Sequence, residues 1–377
     1  MKYEKLIIFV SKCFDFSARN FAVGGIQTYI KDLAQLALSL GFKTFVYQTD
    51  NSIPSQNVLY NGIEIHNISS GKSPKKIYRK LVKQNPDTLF ILATDQLNIK
   101  HKGENAIQIQ HGIAFDTTNI DNHGKIWLLM KQLRKLLSCV KSVIRINQAP
   151  ITVCVDYNYF NWFRAVSFLP RNKKFVIIPN YASAFITEDE LSEKINSFKG
   201  IKSIIFARRF FDYRGTMIFA NAVEKLLKTY PETSVTFAGS GPLEEELHRR
   251  FDKEPRVKIT RFTSENSIKI HKEYDVAVIP TLYSEGTSLS LCEAMAAGCL
   301  PVATHVGGIT NIILDSFNGF LSYPDEENLY KTLTHVMSVS PDEFKDIVRN
   351  AYNSAKTTFS HNHWAKRWSE LLLSTTK

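Results

Sequence analysis

A chain of 377 residues, 44% hydrophobic and 22% charged, has the length of about two domains, each able to build its own core. No run of about 18 apolar residues occurs, so no membrane-spanning helix is expected. The five cysteines are odd in number and include no C-x-x-C pair, which points to a reduced, cytoplasmic setting and away from a disulfide framework. The net charge of +11 lies wholly in the first half: residues 1–180 hold 24 Lys/Arg against 11 Asp/Glu, the remainder 23 against 25. That half alone suits an anionic partner.

The first apolar segment, Leu6 to Val10, is too short for a secretory signal core and reads as a strand within KLIIFVS (5–11). Nearly continuous apolar runs follow at TFVYQT (44–49), TLFILAT (88–94), AIQIQHG (106–112), ITVCVD (151–156) and KFVIIPN (174–180). A second series comprises SIIFARR (203–209), SVTFAGS (234–240), VKITRF (257–262), DVAVIPT (275–281) and LPVATHVGG (300–308). Such runs suit strands buried on both faces of a parallel sheet. Helical patterns, for example residues 28–41 and 215–230, separate many of them. The alternation predicts an α/β fold with helices on both sheet faces, in two doubly wound domains. Residues 1–180 form the first, 181–355 the second, and 356–377 a C-terminal helix packing back on the first. In SPDEF (340–344), Ser340 suits a helix cap, Pro341 the first helical position, and Glu343 completes a capping box.

Ligands of such sheets collect at the carboxyl ends of strands, and the polar residues that break the apolar pattern stand there. Gly24 and Gly25 precede a helix, as a plain turn or as a place where an anion meets backbone N–H groups. His111 ends a strand, where a lone histidine is more often structural than catalytic. Arg208, Arg209 and Arg214 follow another strand, either to clamp a diphosphate by bidentate hydrogen bonds or as a solvated basic loop. Gly239 and Gly241 permit close approach by a ligand or make a turn. The segment SEGTSLSLCEAMAAGC (284–299) then sets Glu285 before a helix start, where acidic residues are favoured. Glu293, flanked by Leu291, Cys292, Ala294 and Met295, is a carboxylate among apolar neighbours, and a ligand is a suitable partner.

With these motifs in order the chain resembles the GT-B glycosyltransferases of the large retaining family 4, over almost its whole length. The E-x7-E pattern of Glu285 and Glu293 is the most specific part. It is supported by GG near residue 25, RR-x4-RG at 208–215, GSGP at 239–242 and VGG at 306–308. The resemblance implies two Rossmann-like domains facing a central cleft, the first for the acceptor and the second for a nucleotide sugar. By the same resemblance, Glu293 accepts hydrogen bonds from the nucleotide ribose and Glu285 holds donor-sugar hydroxyls. Backbone N–H groups of Gly286, Thr287, Ser288 and Leu289 face the diphosphate, and Arg209 and Arg214 neutralise the leaving group. Arg261 and Phe262 border the base; Gly24, Gly25 and Gly241 line the donor; His111 positions donor or acceptor. The implied reaction transfers a hexose-type sugar from a nucleoside diphosphate to a glycan or glycolipid hydroxyl with retention, without metal or other cofactor. Arg208 and Arg261 stand where the family often has glycine, and Asn311 replaces a frequent glutamate.

Residues 123–145 contain six Lys/Arg and no acid. Lys131, Arg134, Lys141 and Arg145 share one helical face with Ser138, while Trp127, Met130, Leu133, Leu137, Val140 and Ile144 share the other. The pattern suits a helix lying on an anionic leaflet, making the protein peripheral on the inner face of the cytoplasmic membrane; the alternative is an apolar face packed in the core. The cluster KSPKKIYRKLVK (72–83) adds to the first reading, and a lipid-linked oligosaccharide or lipopolysaccharide core is the matching acceptor. A sugar-nucleotide epimerase or hydrolase on the same fold is the competing activity. Nucleic-acid binding is the competing use of the charge, against which stands the lack of an RNA-recognition motif or regular aromatic stacking pattern.

Overall fold

The computed structural model describes residues 3–22, 24–113, 115–116, 125–146, 148–166 and 174–375. The chain divides into two compact units. One comprises Met1–His111, His123–Ile178 and Trp364–Lys377, the other Gly112–Asn122 and Pro179–His363.

The first unit is built on eight strands: β1 (Lys5–Val10), β2 (Lys43–Gln48), β3 (Gln56–Tyr60), β4 (Ile63–Asn67), β5 (Thr88–Leu92), β6 (Ala106–Gln110), β7 (Ile151–Cys154) and β8 (Lys174–Ile177). Their order is β8-β7-β6-β5-β1-β2-β4-β3. All neighbours are parallel except β3 and β4, an antiparallel hairpin turned by Asn61 and Gly62, both at positive φ. That hairpin is absent from the predicted strands. QNVLY has no continuous apolar run, and the available signal was the Asn-Gly pair, the residue choice of tight hairpin turns. Strands β5 and β6 are buried along their whole length, as continuous apolar runs require. Helices α1 (Gly25–Ser39), α2 (Pro74–Gln84), α3 (Lys125–Ile146) and α4 (Tyr157–Val166) also belong here. Helix α1 buries Tyr29, Ile30, Leu33, Ala34 and Ala37, a stripe at helical spacing. The end of the chain joins this unit through Trp368, whose Nε1 donates to Tyr29 Oη at 2.7 Å.

The second unit has six strands, all parallel: β9 (Ser203–Ala207), β10 (Ser234–Ala238), β11 (Val257–Thr260), β12 (Val276–Ile279), β13 (Leu300–Thr304) and β14 (Phe320–Ser322). The order is β11-β10-β9-β12-β13-β14. From β9 the chain steps outward to β10 and β11, then returns to lay β12, β13 and β14 on the other side. The boundary between β9 and β12 is therefore the switch point of the sheet, where such folds hold ligands. Helices α5 (Glu188–Ser197), α6 (Thr216–Thr229), α7 (Glu244–Phe251), α8 (Ser267–His271), α9 (Leu289–Ala296), α10 (Glu326–Val336) and α11 (Pro341–Thr358) complete it, and α12 (His361–Thr375) ends the chain. Phe206, Phe219 and Phe237 are fully buried in one cluster, each contributing about 1.5–3 kcal/mol by leaving water. Ser340 caps α11, its hydroxyl accepting from the Glu343 N–H at 3.2 Å. Thr187 and Glu190 make a complete capping box at α5.

Candidate functional site

The parallel register of β9 and β12, Ile204 opposite Val276 and Ile205 opposite Ala277, carries both chains to the same sheet edge. Arg208 leaves the end of β9 and Thr281 leaves the end of β12. Arg208 Nη1 donates to Thr281 Oγ1, and Arg208 Nη2 donates to Glu285 Oε2 at 2.7 Å. Arg214, at the end of the short turn before α6, also donates to Glu285 Oε2, and the Thr281 hydroxyl donates there at 3.2 Å. Three donors thus converge on one carboxylate oxygen, while among the described residues none meets Oε1. Burial opposes the charge of Glu285, yet Arg208 and Arg214 outweigh it and hold the carboxyl down to about 2. Burial pushes Arg208 down to about 10 despite its carboxylate partner. Arg214 resists burial through Glu285 and Tyr213 and stays above the ordinary arginine range. Two arginines and one glutamate leave this cluster one positive charge in excess.

Glu293 has the opposite electrostatics. It lies on α9, and its Oε2 accepts from the Ser267 hydroxyl at 2.6 Å. Burial raises its carboxyl to about 7, against the effect of that bond. The apolar helix therefore tolerates Glu293 with a serine at hand, and Ser267 is a partner that sequence reasoning missed. No short-range signal announces it, because α8 and α9 meet only in the packed fold.

The turn into α9 is tied down from beneath. Asn180 Nδ2 donates to the Thr287 carbonyl at 2.6 Å, and Ser290 Oγ donates to the Ala207 carbonyl at 3.2 Å. Ser288 caps α9 by position, but its buried hydroxyl has no partner among the described residues, and neither does Asn180 Oδ1. Buried polar atoms without partners are costly, and here two stand beside a helix N-terminus whose N–H groups favour an anion. Gly307 holds the other side of the turn. At φ 52° its Cα approaches so closely that a Cβ would lie 2.2 Å from the Glu285 carbonyl, and Gly308 N–H donates to that carbonyl at 2.8 Å.

The other expected residues lie as follows. Arg209 is exposed; its Nη2 donates to Tyr213 Oη at 3.2 Å, and it makes no bond to Glu285. The arginine beside Arg214 on the carboxylate is Arg208, the residue that departs from the resembling family. Gly241 has its backbone against Phe210, whose carbonyl lies 2.5 Å from a Cβ placed there; the close approach is by protein backbone. Arg261 is exposed and pairs with Glu244, Nη2 to Oε1 at 2.9 Å. Phe262 is half-buried against the core beneath α9. Gly24, Gly25 and His111 belong to the first unit. Gly25 opens α1 and Gly24 precedes it. His111 Nε2 donates to the Ala93 carbonyl at 2.9 Å, which fixes the tautomer and leaves Nδ1 as an acceptor. Burial lowers its pKa to about 4, so the ring is neutral at pH 7. Among the described residues no group of three or more His, Cys, Asp or Glu is placed to hold a metal ion.

Helix α3 covers the basic stretch expected at 123–145, whose first two residues lie outside the described ones. Packing of its apolar face in the core does not hold. Trp127, Met130, Leu133, Leu137, Val140 and Ile144 are 37–65% exposed, while the side turned inward carries Ser142 and Ile146. No described helix is long and apolar enough to cross a membrane.

Residues 201–338, which hold both glutamates and the arginines 208, 209 and 214 that follow β9, match the family model Glycosyl transferases group 1. The chain is 24% identical over 260 residues to the Escherichia coli UDP-Gal:alpha-D-GlcNAc-diphosphoundecaprenol alpha-1,3-galactosyltransferase, covering 65% of each chain. Two solved structures share the fold. Sucrose-phosphate synthase from Thermosynechococcus elongatus superposes with a TM-score of 0.73 at 14% identity, over 98% of both chains. Anabaena HepE in complex with UDP-glucose does so with a TM-score of 0.67 at 15% identity, over 98% of this chain and 99% of that one. The chain thus has the GT-B fold, and residues 201–338 of its second unit are similar to the glycosyl transferases group 1 family. It spans only part of the curated relatives it matches, 36% of one and 65% of the galactosyltransferase.

Proposed function

We propose that the chain is a retaining glycosyltransferase that moves a hexose-type sugar from a nucleoside-diphosphate donor to a hydroxyl of a glycan or lipid-linked acceptor, such as lipopolysaccharide or capsule. The observation that carries the reading is the pair of part-buried carboxylates before and within α9, one ionised by two arginines and one near its titration point, within the matched residues. Glu293 is suited to ribose hydroxyls and Glu285 Oε1 to the donor sugar. The unpartnered Ser288 hydroxyl and the α9 N-terminus are suited to diphosphate oxygens, with Arg209 and Arg214 answering charge on the leaving group. The similar galactosyltransferase is named for UDP-Gal and HepE was solved with UDP-glucose, which favours UDP for this chain. Arg261 and Phe262 stand next to the base, and the neutral His111 of the first unit acts by position rather than by ionising. The reaction needs no metal, because the arginines and the helix N-terminus supply the positive field.

The acceptor reading draws on the same relative, whose name includes a diphosphoundecaprenol acceptor, and on the exposed apolar face of the basic helix α3. That helix lays the protein on the anionic inner face of the cytoplasmic membrane as a peripheral protein. A panel of nucleotide sugars screened by thermal shift, followed by mass spectrometry with and without lipid-linked acceptors, tests the function. Stabilisation by one donor and a product only with acceptor supports transfer. Free sugar or an isomerised donor in equal yield without acceptor identifies a hydrolase or epimerase instead.

A further inference from the structure

Glu285 has two arginine partners of different standing. Arg208 is 5% exposed and Arg214 22% exposed, with Glu285 at 11%. Arg208 is also anchored a second time, through Nη1 to Thr281 Oγ1. Thr281 is itself fully buried, and its carbonyl accepts from the Thr304 hydroxyl at 2.6 Å. Among the described residues Arg214 has no such second anchor in the sheet; its other partner is Tyr213, over whose ring the guanidinium lies, 5.1 Å from the centroid.

We propose that Arg208 is a positioning residue, the permanent counter-ion of Glu285, which releases Arg214 to exchange from that carboxylate onto the diphosphate when donor enters. The inference rests on the donor-site reading above and adds a role for a residue which that reading leaves unused.

The physical reason is the cost of an uncompensated carboxylate that is largely shielded from water, here 11% exposed. With Arg208 in place, Arg214 leaves Glu285 still paired, and the surplus positive charge of the cluster meets the incoming anion. Without Arg208, Arg214 is the only counter-ion, and moving it to phosphate strands Glu285. Arg208 therefore acts on nucleotide binding without touching the nucleotide, and its effect depends on the charge of Glu285.

This dependence makes the test. UDP, GDP and ADP are titrated calorimetrically into the wild-type chain, and the one that binds is carried to Arg208→Met, Glu285→Gln and the double variant, with thermal melts checking the fold. Arg208→Met weakens binding by about tenfold, a coupling of ordinary size. Glu285→Gln alone binds at least as well as wild type, and the double variant recovers to within about twofold of Glu285→Gln. Thr281→Val, which removes the anchor while keeping the volume, reproduces the loss if Arg208→Met fails to fold. Its loss too disappears in the Glu285→Gln background. Unchanged binding in Arg208→Met, or a loss that Glu285→Gln does not relieve, overturns the proposal. A wild-type chain that binds none of the three nucleotides overturns the donor-site reading beneath it.

Discussion

Ser267 Oγ donates a 2.6 Å hydrogen bond to Glu293 Oε2, joining the first residue of α8 to the middle of α9. Burial nonetheless raises the Glu293 carboxyl from its ordinary value to about 7. A carboxyl raised in the folded state binds its proton more tightly there than in the unfolded chain. Its contribution to stability is complete below the unfolded value near 4.5 and is lost as pH rises through about 7. Glu293→Gln removes this dependence. The variant is expected to match wild type in melting temperature near pH 4.5 and to exceed it by several degrees at pH 8. Melting curves across that range decide the matter, and a difference that does not vary with pH contradicts the assignment.

Arg214→Ala is expected to lower kcat as well as donor affinity. Charge gathers on the leaving diphosphate as the glycosidic bond breaks, so a charge-assisted contact strengthens toward the transition state. The loss should be about 2–4 kcal/mol, tens- to hundreds-fold in rate. Arg209→Ala should act in the same direction. Its guanidinium is exposed, and among the described residues its partners are Tyr213 Oη and the Phe211 ring. Steady-state kinetics with the donor check both, and an unchanged kcat in both variants removes the leaving-group role.

Flotation with liposomes tests α3. Binding to anionic vesicles should be strong at low salt and weaken as salt rises, while neutral vesicles bind little. Leu133→Glu and Leu137→Glu replace side chains that are 57% and 52% exposed, so the fold should survive while flotation falls. Equal binding to neutral vesicles, or none to either, contradicts the membrane reading.

Activity should survive EDTA. In the proposed reaction Arg209, Arg214 and the α9 N-terminus supply the positive charge that a divalent cation would bring to a diphosphate. An assay abolished by EDTA and restored by Mg²⁺ or Mn²⁺ contradicts this division of roles.

Most parallel strands were legible because they are nearly continuous apolar runs, and burial on both sheet faces demands that pattern; the three-residue strand β14 was too short to show one. The hairpin of β3 and β4 was not, because an edge strand such as QNVLY is largely exposed and carries no such run. The two glutamates stood out for their spacing and apolar surroundings. Their partners did not. Arg208 and Glu285 are 77 residues apart and meet only because β9 and β12 are neighbours in the sheet, which local pattern does not encode. The choice between Arg208 and Arg209 depends on which side chain turns inward at the end of β9, and the resembling family's preference for glycine at 208 pointed away from it. Gly241 was legible as a close approach, but only the fold identifies Phe210 as what approaches.

The most direct measurement is calorimetric titration of a nucleoside diphosphate, UDP first, into wild type, Glu293→Ala and Glu285→Ala. Glu293 is assigned to the ribose, which changes little during reaction, and Glu285 to the sugar, which the bare nucleotide lacks. The account predicts that Glu293→Ala loses most of the affinity for the bare nucleotide, while Glu285→Ala keeps it and fails in sugar transfer. Equal loss of nucleotide affinity in the two variants, or binding unaffected by Glu293→Ala, contradicts it.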